Sequence, residues 1–119
     1  MGYRISVINS EFFIADQDKY AAFKKLKSVY GEQPWFKDCR CLEDVFESFM
    51  LSVENDADDN ICDVGFVDDA NGTEETMLSH IAPFIKDGSY MELSSEGEQW
   101  RLNFNDGKMS KKKPKISWD

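Results

Sequence analysis

Apolar positions recur along this chain with two different periods, and the switches between them mark out its elements. Tyr3, Ile5 and Val7 alternate with Arg4 and Ser6, the period of a half-buried strand. Asn9-Ser10 reads as a turn, and Phe12 to Ile14 as a short return strand. From Asp16, an expected N-cap, the period becomes helical: Ala22, Phe23, Leu26, Val29 and Tyr30 share a face, while Lys19, Lys24, Lys25 and Lys27 lie elsewhere. Gly31 stands where a left-handed C-cap is expected, and Pro34 prevents simple continuation. A second helix is predicted from Leu42, Val45, Phe46, Phe49, Met50 and Val53, with Glu43, Asp44 and Glu47 in its early turns.

A polar loop over 55–60 then leads to Ile61, Cys62, Val64, Phe66 and Val67, a predicted strand. The stretch 68–72 is a turn. Thr73 can cap a third helix with Glu74 and Glu75 in its first turn and Met77, Leu78, Ile81, Ala82 and Ile85 on its apolar face. Pro83 should end or kink it near Ala82. The last third reads as a meander. Met91 and Leu93 alternate with polar neighbours, Ser94 to Gly97 turns, and Trp100, Leu102 and Phe104 alternate again. Asp106-Gly107 is a two-residue hairpin signal, and Met109, Ile116 and Trp118 would extend the sheet, with Pro114 at an edge. The pattern predicts one α+β domain spanning residues 1–119. Its antiparallel sheet takes the N-terminal strand, the central strand and the C-terminal meander, and packs against about three helices.

Charge changes this picture. Between Glu54 and Glu75 stand nine carboxylates (Glu54, Asp56, Asp58, Asp59, Asp63, Asp68, Asp69, Glu74 and Glu75) and no Lys or Arg. The whole chain of 119 residues carries a net charge of −9, yet it is 41% hydrophobic and 13% aromatic, too apolar for disorder. That charge argues against direct nucleic-acid binding and against an anionic membrane surface. No stretch approaches the ~20 apolar residues of a membrane span, and the opening residues alternate rather than forming an export signal. With three cysteines, Cys39, Cys41 and Cys62, the expectation is reduced thiols in a cytoplasm.

Tests for chemistry are negative. Asp56, Asp58 and Asn60 match the first ligand positions of a calcium loop, but Ile61 occupies the glycine position and Val67 the bidentate glutamate position. Cys39-x-Cys41 lacks zinc-ligand spacing, and only Cys62 and His80 remain as partners. Neither a metal nor a cofactor is therefore expected. Cys41, just before the second helix, is placed where a thiolate would be favoured, and a Cys62–His80 pair is the one nucleophile–base combination open to the chain. Lys108, Lys111, Lys112, Lys113 and Lys115 form a basic tail, read as protection of a sheet edge in preference to an anion contact.

The segment Ile81-Ala82-Pro83-Phe84-Ile85-Lys86-Asp87-Gly88-Ser89-Tyr90-Met91-Glu92, with Trp100 to Phe104, Asp106-Gly107-Lys108 and Pro114 to Trp118, resembles the C-terminal signature of a family of small acidic, largely uncharacterised bacterial and phage proteins. The resemblance implies a bacterial or phage origin and an α+β domain, and carries over no catalytic residue.

These readings converge on a non-enzymatic acidic protein with a basic protein partner. The first functional expectation is an inhibitor, most concretely an immunity protein that occludes a basic bacterial toxin. Its expected contacts are Asp56, Asp58, Asp59, Asp68, Asp69, Glu74 and Glu75, with Trp35 or Phe36 as an aromatic anchor. Two other classes stay open: a phage-encoded nucleic-acid mimic directed at a host defence protein, and a small thiol-dependent enzyme.

Overall fold

The computed structural model describes residues 6–66, 73–95 and 97–113. In chain order these form strand β1 (Ser6–Glu11), helix α1 (Asp16–Tyr30), a 3-10 turn (Pro34–Asp38), helix α2 (Leu42–Ser48), strands β2 (Leu51–Asn55) and β3 (Ile61–Phe66), helix α3 (Thr73–His80), a second 3-10 turn (Ala82–Phe84), and strands β4 (Ser89–Ser95), β5 (Glu98–Asn105) and β6 (Lys108–Lys112). The fold is α+β. One antiparallel sheet has the order β1-β4-β5-β6, and a second contains β2 and β3. Among the described residues no helix is long and apolar enough to cross a membrane.

Alternation builds the larger sheet as the sequence implies. Met91, Leu93, Trp100, Leu102 and Phe104 are buried on one face, while Tyr90, Glu92, Arg101 and Asn103 stay half-exposed on the other. The β5–β6 connection has Asp106 at φ 55° and Gly107 at φ 73°, the two left-handed residues that a tight hairpin of the correct twist needs. The buried side chains of the sheet share one core with Ala22 and Leu26 of α1, Leu42, Val45 and Phe46 of α2, Met77 and Leu78 of α3, and Ile81, Ala82 and Ile85 after it. Pro83 lies inside the second 3-10 turn, so α3 does end at His80 as the proline demands.

Several expectations are corrected. Asn9-Ser10 is not a turn: β1 runs through it, with a bulge between Val7 and Asn9. The return strand shrinks to one bridge, Ile14 with Ile61, closed by N–O distances of 2.9 and 3.0 Å. The central strand β3 joins β2 rather than the meander. The second helix stops at Ser48, and Met50 has a φ of 65°, outside any helix. Leu51 and Val53 fit period 2 as well as period 3.6, and pairing Val53 with Val64 satisfies the backbone of both strands. Met50 is consequently 42% exposed instead of buried, and Val29 of α1 is 41% exposed. Gly31 is right-handed, at φ −60°; a side chain there would collide with the Lys27 carbonyl oxygen, to which the Gly31 amide donates. Tyr3, Ile5, Val67, Pro114, Ile116 and Trp118, and the turn over 68–72, lie outside the described residues.

Asp16 does not cap α1. The cap position is Ala15, with no side-chain hydrogen bond of its own, and the Asp16 amide donates instead to Oδ1 of Asn60 at 2.8 Å. A loop 44 residues downstream thus satisfies one of the orphan amides of the helix. Asn60→Ala should cost about 1 kcal/mol, the usual value of a lost cap. Urea denaturation would read that loss, and hydrogen exchange at the Asp16 amide should accelerate with it.

Candidate functional site

The β2–β3 hairpin presents the middle of the acidic block. Its loop is closed by hydrogen bonds from the Asp56 amide to the Asn60 carbonyl (2.9 Å) and from the Asp59 amide to the Asp56 carbonyl (3.0 Å). The Asp56 carboxylate looks back into this loop, accepting from the amides of Asp58 and Asn60 and from the Asn60 side chain at 3.0–3.1 Å. These bonds, those from Asn60 foremost, hold its pKa below the ordinary aspartate value. Asp56 therefore fixes Asn60, and Asn60 caps α1. The sequence assigned Asp56 to a partner; its carboxylate is already engaged within the chain. Asp58 and Asp59 are exposed at the tip and have no side-chain hydrogen bond or ion pair among the described residues. Asp59 is left-handed at φ 64°, a conformation that Asp tolerates better than most residues.

Beside the hairpin lies a groove of about 710 Å³, lined by the end of β1, by Glu54, Cys62 and Asp63 of β2 and β3, and by residues 86–89. Four carboxylates line it: Glu11, Glu54, Asp63 and Asp87. Among the described residues the one cation lining it is Lys86, whose ammonium sits 5.4 Å from the Phe13 ring centroid. Asp63 accepts from the Ser10 hydroxyl (2.7 Å) and Asp87 from the Asp106 amide (2.9 Å), so these two are fixed in place. Glu11 and Glu54 are exposed and, among the described residues, unpaired. Neither Glu11 nor Asp87 was among the contact residues expected from sequence. They are far apart in sequence, and the pairing of Glu11 with Tyr90 and the bonds of the Phe13 backbone to Lys86 and Ser89 bring their neighbourhoods together.

The remaining expected contacts are dispersed. Glu74 is buried, 1% exposed, in the first turn of α3, where the helix dipole favours a carboxylate. Glu75 is half-buried; it accepts from the Trp100 indole at 3.1 Å and pairs with Lys111 at 3.4 Å. The acidic block is thus not unopposed at this end: the basic tail reaches it. Phe36 is a core residue, 4% exposed and stacked on Phe23 with ring centroids 5.3 Å apart. Trp35 is half-buried between Tyr30, Phe36 and Phe49, with centroids 5.4–5.7 Å apart. Asp68 and Asp69 lie outside the described residues.

The nucleophile readings find little support in the geometry. Cys62 is exposed and points toward the Glu54 carbonyl at 3.5 Å, whereas His80 packs edge-on to the Tyr30 ring. Among the described residues no hydrogen bond joins the two. Cys41 was expected to favour its thiolate, but its pKa is raised: burial opposes the charge first, and Asp44 and Glu43 repel it. Cys39 lies near the Trp35 carbonyl (3.7 Å) and the Ser48 hydroxyl (3.6 Å), and none of the three cysteines is in a disulfide. Among the described residues no group of three or more metal-ligating side chains converges.

Glu43 joins α2 to α1 and β2. Partial burial works against its charge, but bonds from Lys19 (2.7 Å) and Asn55 (3.1 Å) prevail and hold its pKa below the ordinary value. A carboxyl depressed in the folded state contributes stability that is fully present above its unfolded pKa and lost as pH falls through its folded one. With Glu43 and Asp56 both depressed, stability should hold down to about pH 5 and drop below about pH 4. Urea midpoints measured from pH 7 to 3 would show this drop, and Glu43→Gln should flatten it. An unchanged acid limb in that variant would remove Glu43 from the explanation.

Comparison of the chain with protein-family models, with curated proteins and with solved structures finds no match.

Proposed function

We propose that this chain is an acidic protein-binding inhibitor that neutralises a basic partner by covering its surface, in the manner of an immunity protein for a bacterial toxin. The observation that carries the reading is the concentration of Glu11, Glu54, Asp58 and Asp59 on one hairpin and its adjoining groove; among the described residues they are exposed and unpaired, and Lys86 is the only groove-lining cation. Carboxylates serving only the fold find partners, as Asp56, Glu43 and Glu75 do. Those left unpaired repel one another, and they set up a local negative field that steers a cationic surface toward them.

The contact set differs from the sequence expectation. Asp58 and Asp59 stay in it, Glu11 and Glu54 enter, and Asp56, Glu74, Glu75 and Phe36 serve the fold. The test is affinity capture from a bacterial lysate with the native chain and with a variant carrying Glu11→Gln, Glu54→Gln, Asp58→Asn and Asp59→Asn. The expected result is a basic protein held by the native chain and lost by the variant, whose toxicity on expression is relieved only by the native chain. Equal capture and equal protection by the two would overturn the reading.

A further inference from the structure

On the outer face of the four-stranded sheet, the β5–β6 side carries charge of the opposite sign, while Glu11, opposite Tyr90, stands at the β1 edge of the same face. Register places Asn9, Glu92, Arg101 and Lys112 in one row across β1, β4, β5 and β6. In that row Arg101 is held in position. Its guanidinium carbon lies 4.0 Å from the Tyr90 ring centroid, and one of its amines donates to Glu92 Oε1 at 3.2 Å. Asn9 braces both partners, its Nδ2 lying 3.3 Å from the Tyr90 hydroxyl and from the Glu92 carboxylate. The guanidinium has five N–H donors in a rigid fork. One amine is occupied, and among the described residues the other donors have no hydrogen-bond partner, with the side chain 44% exposed.

A second feature adjoins it. The β1 bulge between Val7 and Asn9 leaves Ile8 51% exposed, against the usual preference of a large aliphatic side chain. Ile8 forms one wall of a cavity of about 260 Å³. Arg101, Lys112 and Lys113 line that cavity together with Gln99 and Asn103, whose side chains are amides. Among the described residues, three cations against the single carboxylate of Glu92 leave two positive charges here, on a chain whose net charge is −9. Protection of a sheet edge explains lysines on β6, which is an edge strand. It does not explain a braced arginine on β5, an interior strand, or an isoleucine exposed beside it.

We infer that this cavity binds a small phosphomonoester, with the phosphate dianion on the Arg101 fork between Lys112 and Lys113, and its apolar body against Ile8. A guanidinium fork matches the spacing of phosphate oxygens, two surplus cations match a dianion, and the two amides add neutral donors. The volume suits one small ester rather than a polymer. The site is separate from the acidic hairpin and does not depend on the inhibitor reading.

The test uses phenyl phosphate as the probe, followed by NMR on the full chain at pH 7.5. The Arg101 Nε–H, the side-chain amides of Gln99 and Asn103 and the Ile8 methyls should shift together and saturate. Arg101→Lys, which keeps the charge but removes the fork, should weaken binding about tenfold, as expected for lost charge-assisted hydrogen bonds. Lys113→Gln, outside the ladder, should weaken it while leaving core resonances in place. Benzoate, which the fork can also hold but which carries one charge fewer, should bind about tenfold more weakly because one surplus cation is left unmatched. The inference is overturned if no saturable shift appears at these groups, if Arg101→Lys binds as the native chain does, or if benzoate matches phenyl phosphate.

Discussion

Replacing Phe12 with alanine is expected to cost about 3–5 kcal/mol, the range for deleting a buried aromatic ring. Phe12 is 2% exposed, and its ring meets Phe46 and Phe104 edge-on at 6.2 and 5.7 Å. It therefore joins the end of β1 to α2 and to the centre of the larger sheet. The surrounding backbone is pinned. The Phe13 amide donates to the Ser89 hydroxyl, the Phe13 carbonyl accepts from Lys86, and Ile14 bridges to Ile61. A site held this way collapses poorly around a cavity, which places the cost in the upper part of the range. Domains of this size are stable by only about 5–15 kcal/mol, so the variant should be severely weakened. The urea midpoint should fall with little change in slope. Phe49→Ala, at the half-buried rim, should cost distinctly less. Equal losses for the two would mean that the aromatic rim, not the Phe12 junction, holds the layers together.

Much of this architecture was legible in the residue pattern because burial on one face writes its period into the chain. The meander, α1, α3 and the Asp106-Gly107 hairpin follow directly from it. The failures have physical causes. Leu42 to Val53 carries two periods at once, and tertiary pairing of β2 with β3, which the pattern cannot express, decided between them. Asn9-Ser10 has turn composition but lies in β1, where Ser10 uses its hydroxyl to hold Asp63.

The acidic surface was legible in amount and not in arrangement. A carboxylate that organises a turn, as Asp56 does, has the same sequence signature as one that waits for a partner. Glu74 and Glu75 differ from Asp58 and Asp59 only through what packs on them, namely the core for the first and Trp100 with Lys111 for the second. Glu11 enters the groove through contacts of high sequence separation, which no local pattern carries. The outward positions of β4 and β5 were visible as an alternating polar set. That Tyr90, Glu92 and Arg101 form one braced group appears only when register places them side by side.

If the hairpin and its groove steer a basic partner, their charges act mainly on the association rate. Neutralising Glu11, Glu54, Asp58 and Asp59 should lower that rate about 10–100-fold at low salt, the scale of electrostatic steering. The fold should be unaffected, since among the described residues none of the four side chains has a hydrogen bond or an ion pair. The effect should fade as salt rises, because screening shortens to ~8 Å at physiological ionic strength. Net charge alone would act differently. A control with Glu32, Asp38, Glu47 and Glu98 neutralised loses the same formal charge from exposed positions elsewhere.

The most direct measurement is the association rate of the captured partner against ionic strength, for the native chain, the hairpin variant and this control. The expected result is a steep salt slope for the native chain and the control, a shallow one for the hairpin variant, and convergence of all three at high salt. Equal rates and equal slopes for the two variants would contradict it, because the hairpin would then contribute no more than any other part of an acidic surface.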